Sequence, residues 1–232
     1  LIDQILNDLG FNERTGTKQT PAVPATKLGR DLYGQPHDDS WHYRSVIGKM
    51  NFLEKSTRLD IAYSVHQCAR FSNDPKQSHA AAVKRIGKYL LATRDKGIIL
   101  NPKQHSFDTF VDADFCGNYD RVNADQDPGT AKSRTGYVLM YAGCPMAWGS
   151  KLQREVALST TEVEYNALSE SLRHVIQLMH LIEEMRDVGY IVTDQLPRIH
   201  CKVFEDNSGA LEMSKLPQMR PWTKHIGVRM HH

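Results

Sequence analysis

The sequence predicts a mixed α/β protein in which a helical segment precedes a sheet-and-helix layer. Three observations predict it. Apolar residues recur at helical spacing between residues 43 and 97, and the period changes near 98–106 to β-rich runs. A long amphipathic helix then separates those runs from one more strand and a short final helix.

The elements follow in chain order. Residues 1–42 are broken by "KQTPAVPATKLGRDLYGQPHDDS", rich in Pro, Gly and Thr, and are expected to form an extended linker. "YRSVIGKMNFLEKS" (43–56) and "RLDIAYSVHQCARFS" (58–72) carry apolar stripes and read as helices, the second through Ile61, Val65, Cys68 and Ala69. Asn73-Asp74-Pro75 is a stop-and-turn signal. A third helix begins in "KQSHAAAVKRIGKYLLATRDKG", runs to about Asp95 and stops at Gly97. Its Lys84, Arg85 and Lys88 form either a solvated face or a phosphate-contacting patch.

From residue 97, "GIIL" and then "FDTFVDADF" (107–115) are β-rich. "TGYVLMYAG" and "CPMAWGSKLQ" read as a hairpin turning at Ala142-Gly143, with Trp148 expected in the core. The long helix occupies about 160–188 and ends near Gly189. A strand over 198–206 and a short helix over 208–216 complete the order, stopped by Pro217.

Composition excludes some classes. The chain has 232 residues, room for one large domain or two modest ones. Its net charge of +2 gives nucleic-acid binding no support from bulk charge, so any such surface must be local. The four cysteines have neither a CxxC pair nor zinc spacing, which suits reduced thiols in an intracellular protein. Neither a signal peptide nor a run long enough to span a bilayer is evident. A chain opening on leucine is expected to be a piece of a longer polypeptide.

Three acids stand out. Glu162 and Glu164 in "LSTTEVEYNALSE" point about 200° apart on a helix and cannot serve one site. Glu162 completes Ser-x-x-Glu with Ser159, a capping box, and heads a polar stripe expected to face solvent. Glu164 leads the apolar stripe Leu168, Leu172, Val175, Met179 and Ile182, where an unpaired charge is costly. Asp112 interrupts an apolar strand and shares a face with Asp114, while Asp206 ends a later strand. Taken singly, such acids read as turns, solvated edges or N-caps. If Asp112, Glu164 and Asp206 converge, their repulsion calls for hard cations, and oxygen ligation suits Mg²⁺ or Mn²⁺. Two such ions suit phosphodiester hydrolysis, one activating water and the other stabilising the leaving oxygen.

"FVDADFCG", "SRTGYVLMYAGCPMAWGSKLQREVALSTTEVEYNALSES" and "EDNSGALEMSK…TKHI" closely resemble the ribonuclease H domain of copia-type retrotransposon polyproteins. The segment "YRSVIGKMNFLEKS…LLATRDKG" resembles the end of the reverse transcriptase just upstream. The resemblance implies a ribonuclease H-like fold over 98–232, preceded by a helical thumb- or connection-like segment at 43–97. It implies endonucleolytic cleavage of the RNA strand of RNA–DNA hybrids, leaving 5′-phosphate and 3′-hydroxyl ends. Asp112, Glu164 and Asp206 fall on the family's catalytic, metal-binding acids, with Asp114 as a second candidate.

The resemblance also implies two Mg²⁺ or Mn²⁺ ions, an RNA–DNA hybrid substrate and the reverse transcriptase of the same polyprotein as partner, in a cytoplasmic virus-like particle with a nuclear phase. Family members supply a fourth acid from "A-D-x-L-T-K" beyond T-K-H-I, so the chain is expected to be truncated before it. Gly227 also stands where an aspartate is frequent. No reverse-transcriptase polymerase acids are present, so the chain is not expected to copy nucleic acid.

Lys132, Arg134, Lys151, Gln153 and Arg154 are candidate contacts to the hybrid backbone, with solvated loops as the alternative. His225 in T-K-H-I reads as a hydrogen-bonded structural residue, with an auxiliary role in product release as the other reading. Two competing functions remain open: a non-catalytic nucleic-acid-binding or connection module, and another nuclease or integrase on the same fold.

Overall fold

Alternation of apolar residues sets most elements, and the computed structural model shows where packing overrides it. It describes residues 1–24, 26–122, 124–193 and 199–215. By packing, these divide into two units: Leu1–Ile98 with Asp125–Asp127, and Ile99–Ala124 with the described residues from Pro128 onward.

The first unit is helical. Residues 1–42, expected as a linker, open with helix α1 (Ile2–Asp8). Ile5, Leu6 and Leu9 are buried, and Trp41 joins the core at the far end of the Pro- and Gly-rich stretch. So short a helix is stabilised by its packing, not by propensity, which is why composition suggested a linker. Helix α2 (Tyr43–Ser56) buries Val46, Ile47, Met50 and Leu53 on one face. The single helix expected over 58–72 is instead a 3₁₀ turn at Leu59–Ile61 followed by α3 (Ala62–Ala69). Helix α4 (Gln77–Ala92) adds Ala80, Val83, Ile86 and Leu90 to the same core, and ends three residues earlier than expected. In the proposed cationic patch, Arg85 is tied down, donating to Thr20 Oγ1 at 2.8 Å.

The second unit is built on a four-stranded mixed sheet. "GIIL" does not join it: residues 97–100 are irregular, with Ile99 and Leu100 largely exposed. Among the described residues no strand pairs with that run, so β propensity alone does not make it a strand. The strands are β1 (Phe107–Asp114), β2 (Arg134–Tyr141), β3 (Cys144–Leu152) and β4 (Lys202–Phe204), in spatial order β3-β2-β1-β4. The β2–β3 hairpin turns at Ala142 and Gly143, both at positive φ (52° and 80°), which matches the twist of a two-residue turn.

Between β3 and β4 runs helix α5 (Thr160–Asp187, 28 residues). Gly189, at φ +96°, ends it, and the Gly189 and Tyr190 N–H groups return to the Arg186 and Met185 carbonyls. α5 brings the chain back so that β4 runs parallel to β1, with Phe110 opposite Phe204. Phe107, Leu139, Val175, Ile182 and Ile199 form the core between sheet and helix. Trp148, expected there, is only half-buried on β3. Helix α6 (Ser208–Lys215) closes the described chain. No helix among the described residues is long and apolar enough to cross a membrane.

Candidate active site

Topology brings the acids together. Because β1 and β4 are parallel neighbours, their C-terminal ends lie at the same end of the sheet. Asp112 lies two residues past Phe110 on β1, and Asp206 two residues past Phe204 in the turn after β4. α5 starts at that end and turns Glu164 inward. One carboxylate oxygen from each of Asp112, Glu164 and Asp206 can be chosen so that the three lie within 4.8 Å of one another.

Local chemistry gives the helix-capping tasks to neighbours of Glu164 and Asp206. Ser159 caps α5, its Oγ accepting the Glu162 N–H at 3.2 Å. Glu162 Oε2 reaches back to the Leu158 N–H at 2.9 Å, one residue before the Ser159 N–H that a standard capping box uses. Folded over the chain entering the helix, Glu162 is 3% exposed, so the expected solvent-facing position is not what the structure has.

At the second helix the cap is Asn207, whose Oδ1 accepts the Ala210 N–H at 3.0 Å, and Asp206 is spared that role. A Cβ at Gly209 would fall 3.1 Å from Thr161 Oγ1, so glycine lets the start of α6 sit against the start of α5. That contact ties the Asp206 turn to the helix bearing Glu164.

The electrostatics are those of an uncompensated cluster. Asp112 and Asp206 are exposed, whereas Glu164 is 8% exposed and its Oε2 accepts from no donor among the described residues. Burial, followed by the charges of Glu205, Asp112 and Asp206, pushes Glu164 up to about 8, against a smaller opposing effect of the Ala113 N–H. Glu205 is raised as well, first by burial, with Asp206 and Asp112 adding to it. In the sequence, nothing but adjacency to Asp206 marks Glu205.

The remaining candidates fall elsewhere. Asp114 accepts the Arg134 N–H at 2.6 Å and packs on Gly117, outside the group of three. Arg134 is 5% exposed and donates to Ser150 Oγ at 3.3 Å, so it is a buried strand residue and not a loop cation. Gln153 is a clamp from the end of β3 to α5, donating to Thr135 Oγ1 at 3.1 Å and to the Val163 carbonyl at 2.9 Å. Lys151 lies 3.3 Å from Glu170 on an exposed surface. Lys132 is half-buried and Arg154 exposed. His225, with the rest of T-K-H-I, lies outside the described residues.

No family model matches the chain, and no solved structure matches it. Curated proteins do. It is 33% identical over 189 residues to the retrovirus-related Pol polyprotein from transposon TNT 1-94 of Nicotiana tabacum, covering 82% of this chain and 13% of that protein. It is 32% identical over 214 residues to the retrovirus-related Pol polyprotein from transposon RE1 of Arabidopsis thaliana, covering 91% and 13%. A shorter relative, Secreted RxLR effector protein 161 of Plasmopara viticola, is 34% identical over 137 residues, 59% of this chain and 90% of that protein. The chain thus spans about 13% of the length of the transposon polyproteins it matches. Over most of its length it is similar to one segment of retrovirus-related Pol polyproteins of plant transposons.

Proposed function

We propose that this chain carries a divalent-metal-dependent ribonuclease H activity, hydrolysing the RNA strand of RNA–DNA hybrids during retrotransposition. One observation carries the reading: three carboxylates from β1, the start of α5 and the turn after β4 meet within 4.8 Å, with no cation side chain among the three. Kinship with transposon Pol polyproteins supports the substrate class, since retrotransposition passes through such hybrids. The sheet order β3-β2-β1-β4, with α5 crossing from β3 to β4, agrees with a ribonuclease H-like fold.

The donor set fits hard divalent cations. Its ligands are all carboxylates, and the donorless Oε2 of Glu164 is a buried acceptor that a cation would satisfy. Asp112, Glu164 and Asp206 would hold Mg²⁺ or Mn²⁺, which when bound supplies charge neutralisation at the phosphate and a more acidic water. Buried Glu164 fixes the inner side of the site, and exposed Asp112 and Asp206 leave the outer side open to a phosphodiester. Lys151 and Arg154, both exposed, are available to a nucleic-acid backbone, contacts that position the strand without reading its sequence. The reverse transcriptase of the same polyprotein is the natural neighbour for such an activity.

The test is a cleavage assay. A labelled RNA–DNA hybrid is incubated with Mg²⁺ or Mn²⁺ and either this chain or the longer polyprotein segment containing it. Cleavage of the RNA strand alone, lost in Asp112→Asn, is expected. A hybrid left intact by both proteins, with all three acids present, would rule the enzyme out.

A further inference from the structure

Glu205 stands at the edge of the acid cluster, and its two oxygens are used differently. Oε1 accepts the Asn207 N–H at 3.1 Å, which holds the carboxylate within the turn between β4 and α6. Oε2 is buried, and no donor among the described residues reaches it. The carboxyl neighbours that of Glu164, on which its charge acts first among the surrounding acids, and Glu164's own Oε2 is equally donorless in a side chain 8% exposed. Glu205 is not a member of the group of three; its contact is with Glu164.

Two buried acceptors facing each other cost free energy unless a proton or a cation lies between them. A long glutamate in a turn is normally free to swing into solvent, yet the Asn207 bond retains this one. The same bond leaves the buried Oε2 without a donor, on a carboxylate that feels the charges of Asp206 and Asp112.

We propose that Glu205 is a fourth carboxylate of the divalent-cation site, held by the Asn207 N–H to face a cation beside Glu164. The inference rests on the metal-dependent reading above and extends it to a residue that the D-E-D pattern does not include. Carboxylates that back or complete a metal site typically change its affinity by about 10–100-fold when removed.

Calorimetric titration of Mg²⁺ and Mn²⁺ into metal-free protein at pH 8.5 tests it, with wild type, Glu205→Gln, Asp112→Asn and, as a surface control, Glu212→Gln. Glutamine keeps the Oε1 acceptor for Asn207 and removes only the charge. Binding weakened about tenfold or more in Glu205→Gln, with Glu212→Gln unchanged, is the expected result. If Glu205→Gln binds like wild type while Asp112→Asn loses binding, the Glu205 role falls and the metal reading stands. If wild type binds neither ion, both fall. Hydrogen exchange at Asn207 and Ala210 detects any loosening of the turn. Should it occur, Glu205→Asp decides: partial recovery of affinity supports the proposal, and affinity as weak as glutamine's overturns it.

Discussion

The two units bury acids in opposite ways. In the helical unit Glu54 is fully buried, yet Lys55 Nζ lies 3.2 Å and His66 Nε2 3.0 Å from its Oε1. Arg58, 4% exposed, is likewise held by Asp60 at 2.8 Å and by the hydroxyl and carbonyl of Thr93. Burial works against the charge of Asp60, but the Arg58 guanidinium and the Tyr89 hydroxyl outweigh it and keep Asp60 below the usual carboxylate range. In the sheet unit, Glu164 lies among further acids, and burial first, then their charges, raises its proton affinity. Charges compensated internally hold a fold together. Charges left uncompensated in a cleft store a demand that something from outside must meet, and that demand marks the candidate site.

This contrast can be broken experimentally, beginning with the largest effect. Asparagine at Asp112 or Asp206, or glutamine at Glu164, is expected to lower hybrid cleavage by about 10²–10³-fold or more, the scale of lost charge stabilisation in active sites. The helical unit should keep its stability, read from amide exchange along α4. The converse variant, Arg58→Ala, removes the bonds of the buried guanidinium to Asp60 and to the Thr93 hydroxyl and carbonyl and should destabilise the helical unit by about 2 kcal/mol, measured by the same exchange. Unchanged exchange would mean that the buried pairing there is not structural.

A smaller effect concerns pH. Glu164 and Glu205 both have proton affinities raised on folding, so the folded sheet unit binds more protons than the unfolded chain between about 4.5 and about 8. Without metal, its stability should therefore be greatest near the acidic end of that window and fall as pH rises through it. Protection of β1 and α5 amides should decline accordingly, Glu164→Gln should flatten the decline, and added Mg²⁺ should reverse it at pH 8. A metal-free stability that rises with pH across the window would contradict the repulsive cluster.

The smallest effect separates the two glutamates of α5. Glu162→Ala removes the bond to the Leu158 N–H and should cost about 1 kcal/mol of α5 stability, while cleavage stays within a few-fold of wild type. Loss of cleavage at Glu162 with activity retained at Glu164 would exchange their roles.

Much of the fold was legible because it is periodic. α2, β1, the β2–β3 hairpin and α5 follow the spacing of their apolar residues, and Gly189 and Ala142-Gly143 mark their ends by conformations that few residues adopt. Helix geometry likewise separated Glu162 from Glu164, but the expected exposure of Glu162 did not follow, because its side chain folds back to the Leu158 N–H and is buried. What periodicity could not carry was anything depending on a distant partner. α1 exists because a core receives Ile5 and Leu9, and "GIIL" is not a strand because no neighbour pairs with it.

The site divides along the same line. Spacing along the chain shows which acids interrupt apolar patterns, and hence that Asp112 and Glu164 need a reason to be where they are. Tertiary packing lays β4 parallel to β1, which sets Asp206 at the same end of the sheet as Asp112. It also gave the capping duty to Asn207, turned Asp114 and Arg134 to strand-end bonding, and set Glu205 against Glu164. Spacing along one element is a local property written into the chain. Which carboxylates come to share a few ångströms is fixed only when separate elements pack, because the packing chooses their neighbours.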